Sequence, residues 1–333
     1  MSATYFPSDE IVSRFRARRT VMGYWQLARP FTLLAPALGM ASGGIVAFFA
    51  VGDKAVVGWE FLKVLLLGTI AAALLNAASN ALNQIFDLDI DRINKPGRPL
   101  CTGTVSSMGA GVFAAITAAM ALILAGVVST LTGHWGTIAL FAAAAFFSLA
   151  YSVPPMRMKS RGWWANVTVA LPRGTLLKVA GWSLAQSILS VEAWYIGLIM
   201  GLFLLGATTT KDFADLRGDA AYGVKTLPVV YGPEKAAKFV APFIVLPFLL
   251  IPLGGLIGVL TGHLIDLIAL GAICTLWGAH VAARILSDPE SLTQTENHPA
   301  WRHMYYMMIF LQVGFVLAYV PYEFYGSMLR KLI

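Results

Sequence analysis

Residues 107–130 read SMGAGVFAAITAAMALILAGVVST, 24 positions without one charged side chain. An α-helix needs roughly 20 apolar residues to cross the ~30 Å hydrocarbon core of a bilayer. Comparable stretches lie at 29–51, 61–85, 135–153, 164–183, 193–210, 237–260, 264–286 and 301–325. Together they predict nine transmembrane spans. The runs are continuous rather than alternating, which predicts helices and not a β-barrel. Charged residues are 12% of the chain, about half the ~25% of a soluble domain. We therefore expect an all-α membrane protein with nine transmembrane helices around a central chamber. Residues 29–333 would form one domain, and residues 1–28 a basic amphipathic segment on the cytoplasmic surface.

The charges that remain are unevenly placed. Most of the 24 lysines and arginines fall in the N-terminal segment and in the loops after the second, fourth, sixth and eighth runs. Positive loops face the cytoplasm, so the N-terminus and these loops are expected there and the C-terminus on the opposite side. The same bias accounts for the net charge of +7, and no basic–aromatic array points to a nucleic-acid partner. Cys101 and Cys274 are too far apart in sequence and context to read as a disulfide framework or a zinc site. The first twenty residues contain no apolar core with a cleavage site, so no cleavable signal peptide is expected.

Two loops concentrate the acids. The second run ends in NQIFDLDIDRINKPGRPL, where Asn83, Asp87 and Asp91 recur every four residues and so share one helical face; Asp89 falls on another. After the sixth run, KDFADLRGDAAYGVKTLP places Asp212, Asp215 and Asp219 at spacings of three and four. Carboxylates crowded on one face repel and require a compensating cation. An oxygen-only set of Asp and Asn suits Mg²⁺, which keeps several waters and is commonly shared with substrate phosphates. Two such faces across a cavity would clamp a diphosphate, with neighbouring Arg and Lys on the remaining oxygens. Solvated loop charges, a Ca²⁺ site and an ion-coupled transporter are the competing readings. The interleaved basic residues argue against a bare-cation site.

Asn83-x3-Asp87-x3-Asp91 with DRINKPGRPL, the stretch YSVPPMRMKSRGWWAN at 151–166, and the later DLRGD-x5-KTLP block resemble the UbiA superfamily of intramembrane prenyltransferases. YSxPPxRxK with its GW–N ending is more similar to the chlorophyll-synthase and archaeal ether-lipid branch than to the hydroxybenzoate branch. The resemblance implies Mg²⁺-dependent transfer of a prenyl group from an isoprenoid diphosphate donor to a hydrophobic acceptor, with membrane lipid around the protein. The acceptor would be an aromatic or quinone precursor, a chlorophyllide or a prenylglycerol phosphate. Asp87 and Asp91, assisted by Asn83, would hold one Mg²⁺. Asp215 and Asp219 would hold a second, bridged by the diphosphate, with Asp212 as a further ligand. Arg157, Lys159 and Lys211 would take the diphosphate, and Tyr151 would donate a hydrogen bond to it. Arg92, Lys95 and Arg98 either do the same or fix the loop. A terpene cyclase of the same fold, ionising the donor without an acceptor, is the alternative enzyme.

The chamber must keep water from the allylic cation, and Trp163, Trp164, Trp182 and Phe146–Phe147 are candidates to line it. ALPRGTLLKVAGW, 170–182, puts Arg173 and Lys178 inside the fifth run. A cation inside a membrane span is costly, so Arg173 is a candidate substrate-binding residue for a carboxylate or phosphate. Otherwise Pro172 breaks the span and Lys178 reaches an interface.

Overall fold

The computed structural model describes residues 9–50, 57–294 and 298–324, with side chains from residue 18 onward. The side-chain pattern expected of residues 1–17, and the chain from residue 325 where the ninth expected run ends, lie outside the described residues. Everything described as regular is helical. In order, the helices are α1 (Asp9–Ala28), α2 (Pro30–Ala50), α3 (Trp59–Phe86), α4 (Leu88–Asn94), α5 (Ser107–Thr132) and α6 (Gly136–Ser152). Then come α7 (Trp163–Ala170), α8 (Leu177–Trp182), α9 (Val191–Ala214), α10 (Leu216–Ala221), α11 (Leu227–Val245), α12 (Leu250–Leu256), α13 (Leu264–Ser287) and α14 (Pro299–Tyr319).

Among the described residues, six helical stretches are long and apolar enough to cross a membrane: α2, α3, α5, α9, α13 and the run Leu227–Leu256 formed by α11 and α12. The uncharged run that opened the sequence becomes α5. Its start is capped by Ser106, whose Oγ accepts from the Gly109 N–H at 3.0 Å, and it ends at Gly133 with φ 74°. The three other expected spans depart from that template. α6 has 17 residues. α14 opens with polar residues, PAWRHMYY. The fifth is broken: α7 and α8 are separated by a π-helical turn, Leu171–Leu176. Pro172 explains the break, since it has no N–H to give and its ring crowds the carbonyl four residues back.

That broken helix is wedged between α2 and α9 by glycines. A Cβ on Gly181 would lie 2.6 Å from the Met40 carbonyl oxygen, and one on Gly43 would lie 3.0 Å from Gly181 Cα. A Cβ on Gly174 would lie 2.6 Å from Gly201 Cα. Small residues let helix backbones meet where lipid gives no hydrophobic drive to association. On the far side, buried Glu192 at the start of α9 accepts from the Thr261 N–H at 2.6 Å and from the Tyr319 hydroxyl, tying three segments together. The α1–α2 junction is fixed by side chains of α3: Gln84 donates to Leu27 O and Asn80 to Ala28 O, each at 2.9 Å.

Candidate active site

α3 ends at Phe86, but its hydrogen-bond ladder does not. The Asp87 N–H donates to Asn83 O at 2.9 Å and the Asp91 N–H to Asp87 O at 2.7 Å. Asn83, Asp87 and Asp91 therefore stack along one face through the α3–α4 bend, as their spacing predicts. The same device recurs after α9, where the Asp215 N–H donates to Lys211 O at 3.3 Å and the Asp219 N–H to Asp215 O at 3.0 Å. Each motif is a long helix, a bend at an aspartate and a short helix.

Asn94, at the end of α4, joins the two motifs. Its amide donates to Asp215 O at 3.0 Å and accepts from the Gly218 N–H at 3.0 Å.

Beneath the two bends lies a cavity of about 310 Å³. Asn83, Asp87 and Asp91 line it from one side, and Lys211, Asp212 and Asp215 from the other. Tyr151, Lys159 and Arg98 sit between them, and Arg173 is in the wall. Two predicted residues are set back from it. Asp219 is buried behind Lys159, and Arg157 stands at the rim, 3.7 Å from Asp87 Oδ1 and donating to Phe86 O at 3.2 Å.

Every motif carboxylate that lines the α3 side is neutralised by a basic side chain. Lys159 donates to Asp87 Oδ2 at 2.6 Å, and the same oxygen accepts from the Asn83 amide at 2.6 Å. Arg98 pairs with Asp91, and across the cavity Lys95 pairs with Asp215. Lys159 also lies 3.7 Å from Asp219 Oδ1, a buried aspartate oxygen that has no hydrogen-bond partner among the described residues. The three basic residues after the first motif thus separate. Lys95 and Arg98 line the cavity, whereas Arg92 pairs with Asp89 at 2.7 Å on the exposed outer face.

The electrostatics follow from burial. Burial pushes the Asp219 carboxyl up to about 6; Lys159 opposes the shift and Asp215 adds to it. Burial also raises Asp91 above the ordinary carboxylate range, against the pull of Arg98. For Lys159, burial disfavours the ammonium, but Asp87, Tyr151 and Asp219 outweigh it and hold the group above the ordinary lysine value.

The donor set fits magnesium. It contains only oxygens, and Asp219 Oδ1 is a buried acceptor without a donor. Among the described residues no three acidic, histidine or cysteine side chains converge on one point.

Other expectations are corrected. Of the five aromatics proposed for the chamber, only Phe147 lines it. Trp163 packs on Phe239 and Phe243, Phe146 and Trp164 face outward, and Trp182 is core. The aromatic wall comes instead from Phe141, Trp301 and Tyr305, with Lys211 5.0 Å above the Trp301 ring. Asn94 and the cavity-lining Arg29 were not expected. Nothing in the spacing of Asn94 marks it, because its partners Asp215 and Gly218 are distant in sequence.

Comparisons with known proteins bear on this geometry. The profile of the UbiA prenyltransferase family matches residues 21–296. The digeranylgeranylglyceryl phosphate synthase of Natronomonas pharaonis is 32% identical over 265 residues, 77% of this chain and 87% of that protein. The bacteriochlorophyll synthase 33 kDa chain of Rhodobacter capsulatus is 34% identical over 220 residues, 64% of this chain and 68% of that one. Among solved structures, a UbiA homolog from Archaeoglobus fulgidus bound to GPP and Mg²⁺ superposes with a TM-score of 0.69 at 22% identity, covering 90% of this chain and all of that one.

Proposed function

The chain belongs to the UbiA prenyltransferase family, and we propose from that premise that the cavity is where a prenyl group passes from an isoprenoid diphosphate to a lipid-soluble acceptor. One observation carries the reading: two carboxylate faces from helices more than a hundred residues apart line a single cavity, with Lys95, Arg98 and Lys159 interleaved between them. The acceptor classes we consider are a prenylglycerol phosphate, a chlorophyllide and an aromatic quinone precursor, in keeping with relatives named as a digeranylgeranylglyceryl phosphate synthase and a bacteriochlorophyll synthase. Residues 29–333 would act as one membrane domain of nine crossings, with α6, the broken α7–α8 helix and α14 completing the six longer ones. The carboxylate bends would face the cytoplasm and the C-terminus the opposite side.

Asp87 and Asp91 with Asn83, and Asp215 and Asp219 with Asp212, would hold two magnesium ions. When bound, magnesium stabilises the negative charge that grows on the departing diphosphate. The protein's own groups do the rest. Lys159, Lys95 and Arg98 already reach motif oxygens at the cavity edge. Each has further N–H donors to turn toward phosphate oxygens. Tyr151 adds a hydroxyl from the same wall. The C1–O bond of the donor breaks with its electron pair going to diphosphate. C1 then bonds to the acceptor, which releases a proton. The apolar walls below the carboxylates keep water from competing for C1.

The test is a panel assay on purified protein with Mg²⁺. Geranyl, farnesyl, geranylgeranyl and phytyl diphosphates are offered against an aromatic acid, a quinone precursor, a chlorophyllide and a prenylglycerol phosphate, with products read by mass spectrometry. A prenylated product that EDTA abolishes is expected. Diphosphate release with only cyclic hydrocarbon or alcohol would instead indicate a cyclase. No diphosphate release from any donor would overturn the reading.

A further inference from the structure

Arg173 and Lys178 line the same cavity, yet they stand apart from the carboxylates. Among the described residues neither has a carboxylate within ion-pair distance. Lys178 is 3% exposed. Its ammonium donates to Ser42 Oγ at 2.6 Å and reaches Gly39 O at 3.4 Å, which leaves one of its three donors unmet. A buried cation without a counter-charge inside a membrane span is expensive, and it persists where something binds to it.

The π-turn explains how the two cations share a wall. Residues five apart on a regular α-helix point about 140° away from each other. A turn with i→i+5 bonding brings such residues toward one face. Arg173 lies within that turn and Lys178 two residues beyond it. The glycine contacts then fix their depth, since Gly174 seats on Gly201 of α9 and Gly181 on α2.

Depth separates Lys178 from the diphosphate. From Asp212 to the cavity-lining Leu204 and Met200, α9 descends eight to twelve residues, which is about 12–18 Å at the helical rise. Lys178, held on Ser42 and Gly39 of α2, stays at that level, out of reach of a diphosphate at the carboxylates, whereas the Arg173 side chain comes within electrostatic range of Tyr151 and spans the distance between the two. The donor's hydrocarbon tail gains nothing from a cation. The ligand left to account for Lys178, with Arg173 beside the same cavity, is the acceptor.

We infer that Arg173 and Lys178 form an oxyanion subsite in the chamber wall that binds a carboxylate or phosphate carried by the acceptor. The inference rests on the prenyl-transfer reading and specifies its second substrate. Guanidinium and ammonium both accept either oxyanion, so the source is a matter for experiment.

The experiment is thermal unfolding of the purified full chain in detergent with amphiphiles of one chain length. Hexadecyl phosphate, palmitate and hexadecanol are each titrated in EDTA, where the magnesium site is silent. Geranylgeranyl diphosphate with Mg²⁺ is titrated separately. One or both anions are expected to raise Tm and hexadecanol is not; which anion acts identifies the oxyanion. R173Q and K178M should need at least tenfold more anion for the same shift, and R173K should recover most of the response. The magnesium-dependent donor shift should persist in all variants, which also shows that they fold. An equal anion response in R173Q and wild type, or an equal response to hexadecanol, overturns the subsite. If wild type instead shows the anion response but no donor shift, the prenyl-transfer reading fails, and with it the assignment of the subsite to an acceptor.

Discussion

Asn94 is the residue through which the geometry of the site is most directly testable. Its single amide holds the two aspartate motifs in register, donating to Asp215 O and accepting from the Gly218 N–H, both at 3.0 Å. We predict that N94A removes both bonds and leaves a carbonyl and an N–H to find water. Each net hydrogen bond contributes about 1 kcal/mol, so the pair should be worth about 2 kcal/mol. If that loss falls wholly on the assembled site, donor affinity drops about thirtyfold. The readout is the concentration of geranylgeranyl diphosphate and Mg²⁺ that half-maximally raises Tm.

Gly218 supplies an independent check. A Cβ there would lie 2.5–2.7 Å from three side-chain atoms of Asn94, so G218A must push the amide aside and should weaken donor binding in the same direction. In the N94A background that clash is gone. Gly218 lies within the helix α10, and Ala exceeds Gly there by about 1 kcal/mol in helix propensity. The second substitution should then be neutral or stabilising, so the double variant loses less than the sum of the two single losses. Wild-type donor binding in N94A, or additive losses in the double variant, would refute the claim that this amide sets the distance between the motifs.

Asp87→Ala and Asp215→Ala should each abolish prenyl transfer while the protein still elutes as a folded species in detergent; full turnover in both would end the two-motif account. Asp89→Ala, which removes only an exposed pair with Arg92, should leave turnover at the wild-type level and stability within about 0.5 kcal/mol, measured by the same product assay and unfolding scan. Magnesium affinity should depend on pH through Asp219. Its carboxyl is raised to about 6, so below that value the metal must displace a proton. Affinity should therefore fall as pH drops through about 6 and level off above it; a flat profile from pH 5 to 8 would exclude Asp219 from the metal site.

What the sequence disclosed and what it withheld follow from one physical fact. In a membrane bundle both the lipid-facing and the protein-facing surfaces are apolar, so the pattern that orients helices in water is weak. Charges are the exception, because each costs free energy in the bilayer and is placed for a reason. The faces Asn83–Asp87–Asp91 and Asp215–Asp219 were legible on that ground, as was the separation of Asp89 from them. The chamber aromatics were not. Trp163 and Phe146 look no different in sequence from Phe147, and only packing against Phe239 and Phe243 turns Trp163 away from the cavity. Asn94 was silent for a different reason: its partners lie more than 120 residues along the chain, and an asparagine in a polar loop carries no spacing signal. The fifth span lies between these cases. Arg173 and Lys178 were conspicuous as charges and Pro172 as a break, but five residues of α-helix would have pointed the two cations apart. It takes the π-turn, and the glycines that press it against α2 and α9, to bring both onto the wall of one cavity. A proline that first reads as a flaw in a transmembrane helix thus marks the turn that sets two buried cations on one cavity wall.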